Sequence, residues 1–313
     1  MRSNITYWLP AILLVCLLNA CSGQQEAING ARKLLQEKKF KEAEAACTKL
    51  IDTEPQNAEA WYLRGYSRLQ QGALSACVTD FDRAIQLAPE SKSTNDSLGL
   101  YYFERGLANY LNSQYPTALG DFQKAVDLKH DPGNALTYLG ITQGALGDDI
   151  TAIQTLDKAV KAAPESHFAW SNRGYYNSKL GDNRTAIADF TKAISLQPDD
   201  KASYLNRGYT YIGMGDYATA ILDFQKALDI DPNFSGALAY MGIALTNTDR
   251  PAEAVGYLDQ AIKIDPGNPT LYYYRGAARI NSGDQAGGCA DLQHALDNGD
   301  NQGVPMMQQF CNK

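Results

Sequence analysis

Glycine recurs at 106, 140, 174, 208, 242 and 276, each 34 residues after the last, and Gly65 belongs to the same series, displaced by seven residues. A period of this size implies a linear array. Each repeat is one small motif that cannot bury its apolar face alone, and stacked neighbours share a continuous core. Counting this glycine as position eight, eight units begin at 24, 58, 99, 133, 167, 201, 235 and 269 and span 24–302, with an insertion at 92–98.

Each unit reads as two helices. Position four is large in seven units (Trp61, Tyr102, Leu136, Trp170, Tyr204, Leu238, Tyr272) and shares a helical face with the glycine at eight. Position 20 is small throughout: Ala43, Cys77, Ala118, Ala152, Ala186, Ala220, Ala254 and Gly288. Position 24 is Phe81, Phe122, Leu156, Phe190, Phe224, Leu258 or Leu292, with Cys47 in the first unit. Small residues on the second helix, facing that glycine, let two helices cross closely while the large side chains fill the space around the crossing. Between the helices stand Gly147-Asp148, Gly181-Asp182, Gly215-Asp216 and Gly283-Asp284. Glycine suits a left-handed helix end, and the aspartate after it suits the next helix start. Pro55, Pro89, Pro164, Pro198, Pro232 and Pro266 stop the second helix.

In period, small positions, aromatic positions and prolines the chain resembles the tetratricopeptide repeat family. The resemblance implies an all-α, right-handed solenoid of eight helix-turn-helix repeats, with a concave surface that binds peptides or protein segments. The departures are local. The first unit has Ala27 and Ala31 at positions four and eight, the third has His130 where proline is expected, and the last has Gly288 and Asp300. Edge units have only one neighbour and are expected to be atypical. Residues 303–313, with Val304, Met306, Met307 and Phe310, are expected to form a short helix capping the open apolar end.

Residues 1–20 read as an export signal: Arg2, then an apolar stretch from Tyr7 to Leu18 that is too short to span a bilayer. Leu18-Asn19-Ala20-Cys21 resembles the bacterial lipobox, which implies a fatty-acylated Cys21 on residues 21–23 as tether, the leader being removed. The protein is then exported and anchored to a bacterial membrane by lipid alone, on the periplasmic or cell-surface side. Ser22 after the cysteine is compatible with the outer membrane. An exported compartment permits oxidation. A disulfide between Cys289 and Cys311 is expected to hold the short cap, while Cys47 and Cys77 read as core residues, a second bridge between them remaining an alternative.

From residue 21 onward the chain carries 27 basic and 35 acidic side chains, which argues against a nucleic-acid binder. His130, His167 and His294 occupy unrelated repeat positions, so no metal site or cofactor is expected. No catalytic motif is present, and the expectation is a non-enzymatic scaffold. Position seven is Arg64, Arg105, Arg173, Arg207 and Arg275, and position 23 of the same five units is Asp80, Asp121, Asp189, Asp223 and Asp291. The co-occurrence predicts five ion pairs joining the helices of a unit.

The resemblance places positions two, five, nine, twelve and thirteen of the first helix on the concave surface. Tyr62, Tyr66, Phe103, Tyr110, Phe168, Tyr175, Tyr209 and Tyr273 fall there, and Asn172 and Asn206 at position six are candidates to hydrogen-bond an extended backbone. Aromatic side chains offer a flat amphipathic surface with few rotamers to freeze. The expected ligand is a protein segment at the bacterial envelope. A glycan stacking on the same rings is the alternative. The polar insertion Lys92–Leu98 is expected to be a loop.

Overall fold

The computed structural model describes residues 23–88 and 95–311. These hold seventeen helices and no strand. The first, α1, covers 23–36 among the described residues. Then follow α2 Phe40–Thr53, α3 Ala58–Gln70, α4 Leu74–Leu87, α5 Asn95–Leu111, α6 Tyr115–Asp127, α7 Pro132–Ala145 and α8 Asp149–Ala162. The remainder are α9 His167–Lys179, α10 Asn183–Leu196, α11 Lys201–Gly213, α12 Tyr217–Ile230, α13 Ser235–Thr246, α14 Pro251–Ile264, α15 Pro269–Asn281, α16 Gln285–Asp297 and α17 Val304–Phe310. The chain forms two compact units that divide between Ala163 and Pro164.

In the first unit α3 packs on α4, α5 on α6 and α7 on α8, and α2, α4 and α6 each meet the following helix. The second unit repeats the scheme from α9 to α16, and α17 lies on α16. First helices of successive pairs also touch one another, α3 with α5 and α11 with α13. All eight second helices begin at position seventeen of the repeat, from Phe40 to Gln285.

The turns explain this regularity. Position fifteen has positive φ in seven repeats, at Gly72, Gly147, Gly181, Gly215 and Gly283 but also at Lys38 and Ser113, where a Cβ is tolerated at some cost. The aspartate that follows caps the second helix: the side chains of Asp148, Asp182, Asp216 and Asp284 accept from the backbone N–H of Thr151, Thr185, Thr219 and Gly287. First helices are capped by Asn57, Ser166, Asp200 and Asn268 in the same manner.

The core is the helix crossing. Phe81, Phe122, Phe190, Phe224, Leu156, Leu258 and Leu292 are completely buried, as are the alanines at position 20. A Cβ on Gly208 would stand 2.6 Å from the ring of Phe224, and one on Gly242 2.5 Å from Leu258, so position eight of these repeats has no room for a side chain.

Two expectations change. Asn95–Leu98 are not loop: they form the first turn of α5, which runs for 17 residues, and only 92–94 of the insertion lie outside the described residues. Gly23, within the span expected as tether, is also helical. Cys21 and the leader lie outside the described residues.

Candidate functional site

The five arginine–aspartate pairs meet as forked contacts. Arg64 reaches Asp80 at 3.1 and 2.8 Å, Arg105 Asp121 at 3.0 and 2.6 Å, and Arg173 Asp189 at 2.9 and 2.6 Å. Arg207 reaches Asp223 at 2.8 and 2.7 Å and Arg275 Asp291 at 2.8 and 2.6 Å. All five carboxylates are buried. Each guanidinium also lies over the ring at position four, 4.7 Å from Trp61, 5.3 Å from Tyr102, 4.8 Å from Trp170, 5.8 Å from Tyr204 and 5.3 Å from Tyr272.

Two further partners escaped the sequence reading. Position 25 of the preceding repeat is drawn in, with Arg105 on Asp82 at 2.6 Å and Arg275 on Asp259 at 2.7 Å. Position eleven completes the carboxylate, with Arg68 on Asp80, Asn109 on Asp121, Asn177 on Asp189 and Arg279 on Asp291. These guanidiniums are spent on holding helices together. They offer no free cationic ladder.

The first-helix aromatics divide into two groups. Tyr62 is stacked on Tyr101 at 4.8 Å and lies 6.0 Å from Phe81, and burial pushes its hydroxyl pKa far up. Phe103 sets its edge on Phe122 and Tyr138 at 5.7 and 5.6 Å. Tyr273 leans on Tyr274 at 5.0 Å, and Phe168 is half-buried. Tyr62 and Phe103 thus pack between helices. Asn172 donates to the Phe168 carbonyl at 2.8 Å, so its amide is engaged with its own helix.

The others line two clefts. In the first unit a cleft of about 510 Å³ is bounded by Tyr66, Leu69 and Gln70 of α3, Glu104, Leu107, Tyr110 and Leu111 of α5, and Tyr138 of α7. In the second unit one of about 450 Å³ is bounded by Tyr175, Ser178 and Lys179 of α9, Phe190 of α10, Leu205, Asn206 and Tyr209 of α11, and Tyr240 of α13. Tyr175 and Tyr209 are 47% and 51% exposed. The two clefts use corresponding repeat positions: nine, twelve and thirteen of one repeat, six and nine of the next, and the tyrosine at position six of the one after. At these places first helices of successive repeats come into contact, α3 with α5, α9 with α11 and α11 with α13.

Glu104, Tyr138 and Tyr240 were not singled out from the sequence. Position six has no common chemistry to mark it: Glu104, Tyr138, Tyr240 and Tyr274 share it with Asn172 and Asn206. Burial raises the Glu104 carboxyl to about 7. A larger open hollow of about 960 Å³ is lined by residues of α1 and α2.

Cys289 and Cys311 are joined by a disulfide with Cα atoms 5.6 Å apart. Gln285 donates to the Phe310 carbonyl beside it. Cys47 and Cys77 are buried free thiols, their pKa values pushed up by burial to about 12 and about 11. Among the described residues no group of three or more His, Cys, Asp and Glu could hold a metal, and no helix is long and apolar enough to cross a membrane.

Residues 29–92, 169–200 and 202–234 match models of the tetratricopeptide repeat. A segment of 114 residues is 28% identical to human tetratricopeptide repeat protein 13, covering 36% of this chain and 12% of that protein. Among solved structures, a tetratricopeptide repeat protein of Parabacteroides merdae superposes with a TM-score of 0.58 at 17% identity, covering 93% of this chain and all of the other. A chain of the APC/C hetero-tetramer Cut9-Hcn1 superposes with a TM-score of 0.66 at 18% identity, covering 79% of this chain and 48% of its own. This chain therefore spans about half of the latter and about an eighth of the human relative.

Proposed function

Since the chain carries tetratricopeptide repeats, whose proteins generally mediate protein–protein interaction, we propose that it is a scaffold of the bacterial envelope that holds a protein segment in the clefts between its first helices. The observation that carries this reading is the pair of solvent-open tyrosines, Tyr175 and Tyr209, on either side of the second-unit cleft. Rings this exposed contribute little to folding, and they offer apolar area with a hydroxyl handle to a partner. Asn206 in the same cleft has a half-buried amide that can accept and donate to an extended backbone. Lys179 at the cleft edge is its one cationic group, so apolar burial rather than ion pairing dominates there.

Attachment by an acyl group on Cys21 would keep the array at a membrane surface. The partner is then an envelope protein with an extended or helical segment bearing apolar side chains.

Site-specific crosslinking from Tyr175 and Tyr209 in intact cells, followed by mass spectrometry, identifies the partner. The Tyr175→Ala/Tyr209→Ala variant is expected to fold normally and to lose that partner about tenfold or more. Cys21→Ser is expected to release the protein from the membrane fraction. A partner that binds the double variant unchanged would defeat the cleft assignment, and displacement by an oligosaccharide would turn the reading towards a glycan.

A further inference from the structure

Five buried carboxylates carry a forked arginine, and the half-buried Glu104 is treated differently. Asp80, Asp121, Asp189, Asp223 and Asp291 each have a forked arginine. Among the described residues Glu104 has no cation: the titratable groups that face it are Tyr62 and Tyr66 from α3, Cys77 from α4 and Tyr138 from α7. Nothing but burial shifts its titration, upward to about 7.

A lone carboxylate in an apolar setting destabilises the fold, and a neutral residue of similar size would be better for packing. The corresponding position of the second-unit cleft holds such a residue, Asn206. Glu104 also opens into a cleft of about 510 Å³, walled by Tyr66, Tyr110 and Tyr138. Ring faces attract cations, and a carboxylate in the same lining supplies the counter-charge, so rings and carboxylate favour the same ligand.

We infer that the cleft formed by α3, α5 and α7 takes a lysine or arginine side chain from a bound protein segment, with Glu104 as its counter-ion and Tyr66, Tyr110 and Tyr138 as its walls. This rests on the reading that the array binds protein segments, and it adds the chemistry of one residue in the segment. The cation restores the partner that the fold withholds. An acidic residue at the same point is repelled, and an aliphatic one leaves the carboxylate desolvated and unpaired.

The test uses the full chain and degenerate hexapeptide libraries with lysine, arginine, norleucine or glutamate fixed at one central position. At about pH 8.5, where Glu104 is ionised, the lysine and arginine libraries should be retained about tenfold more strongly than the norleucine library. At about pH 5.5 that preference should shrink below about twofold, because the protonated carboxyl offers no charge. Glu104→Gln should abolish the preference at both pH values while still retaining the norleucine library, which shows that the variant is folded.

Equal retention of basic and norleucine libraries by the wild type would overturn the inference and leave segment binding intact. A basic preference that survives in Glu104→Gln would overturn it as well, by moving the charge recognition elsewhere. Retention of no library at all would take segment binding down with it.

Discussion

Glu104 shows how one residue can set the pH response of a fold. Its carboxyl titrates at about 7 in the folded chain, above its ordinary range, so the unfolded state ionises first as pH rises. The stabilisation this group contributes is complete below about pH 4.5 and is lost as pH climbs through 7. The loss amounts to up to about 3 kcal/mol. Glu104→Gln removes the titration. Urea melts should show the variant more stable than wild type at about pH 8.5 and the two converging towards about pH 4.5. A constant difference across that range would show that Glu104 is solvated in the folded chain.

Helices in this array are joined by the same clamp five times, and the clamp is where an element gains its orientation. Asp223 holds the Arg207 guanidinium at two points while Tyr204 lies against the cation, so α11 and α12 are fixed in rotation as well as distance. Asp223→Ala leaves a largely buried arginine without its anion and should destabilise by about 3 kcal/mol. Arg207→Ala/Asp223→Ala should cost less than the two single changes together, by about 1–3 kcal/mol in a double-mutant cycle. Additivity would show that the clamp carries no net coupling.

For the molecule as a whole, the last repeat is where a covalent tie supplements packing. The helix that covers it, α17, has seven residues and buries none of them completely. A helix so short does not persist by itself in water. The Cys289–Cys311 bond ties it down across 22 residues, a closure worth about 3 kcal/mol in the chain-entropy model. Reduction is therefore expected to free α17, with the amides of 304–311 exchanging at the rate of an unstructured chain while those of α9 to α14 remain protected. Unchanged protection of α17 on reduction, or free thiols at both positions in exported protein, would show that packing alone holds it.

The 34-residue spacing by itself determines the helix pairs. A glycine at position eight, a small residue at twenty and a capping aspartate act through contacts within one repeat, and such contacts recur at fixed offsets in the sequence. The pairing of positions seven and 23 was legible for the same reason: both occur, or both are missing, in the same repeat. The extra members of that clamp, Asp82 and Asp259, belong to the preceding repeat, and Asn109 and Arg279 vary in chemistry, so no within-repeat pattern marked them. Only tertiary structure separated Tyr62, packed against Tyr101, from Tyr175, open to solvent, although both stand at positions expected to line the groove. It also decided that Glu104 meets no cation among the described residues. The clefts draw their walls from three successive repeats, and burial at such a place depends on how far neighbouring helices separate. That distance is set by every side chain in the layer together, and it is written at no single position of the repeat.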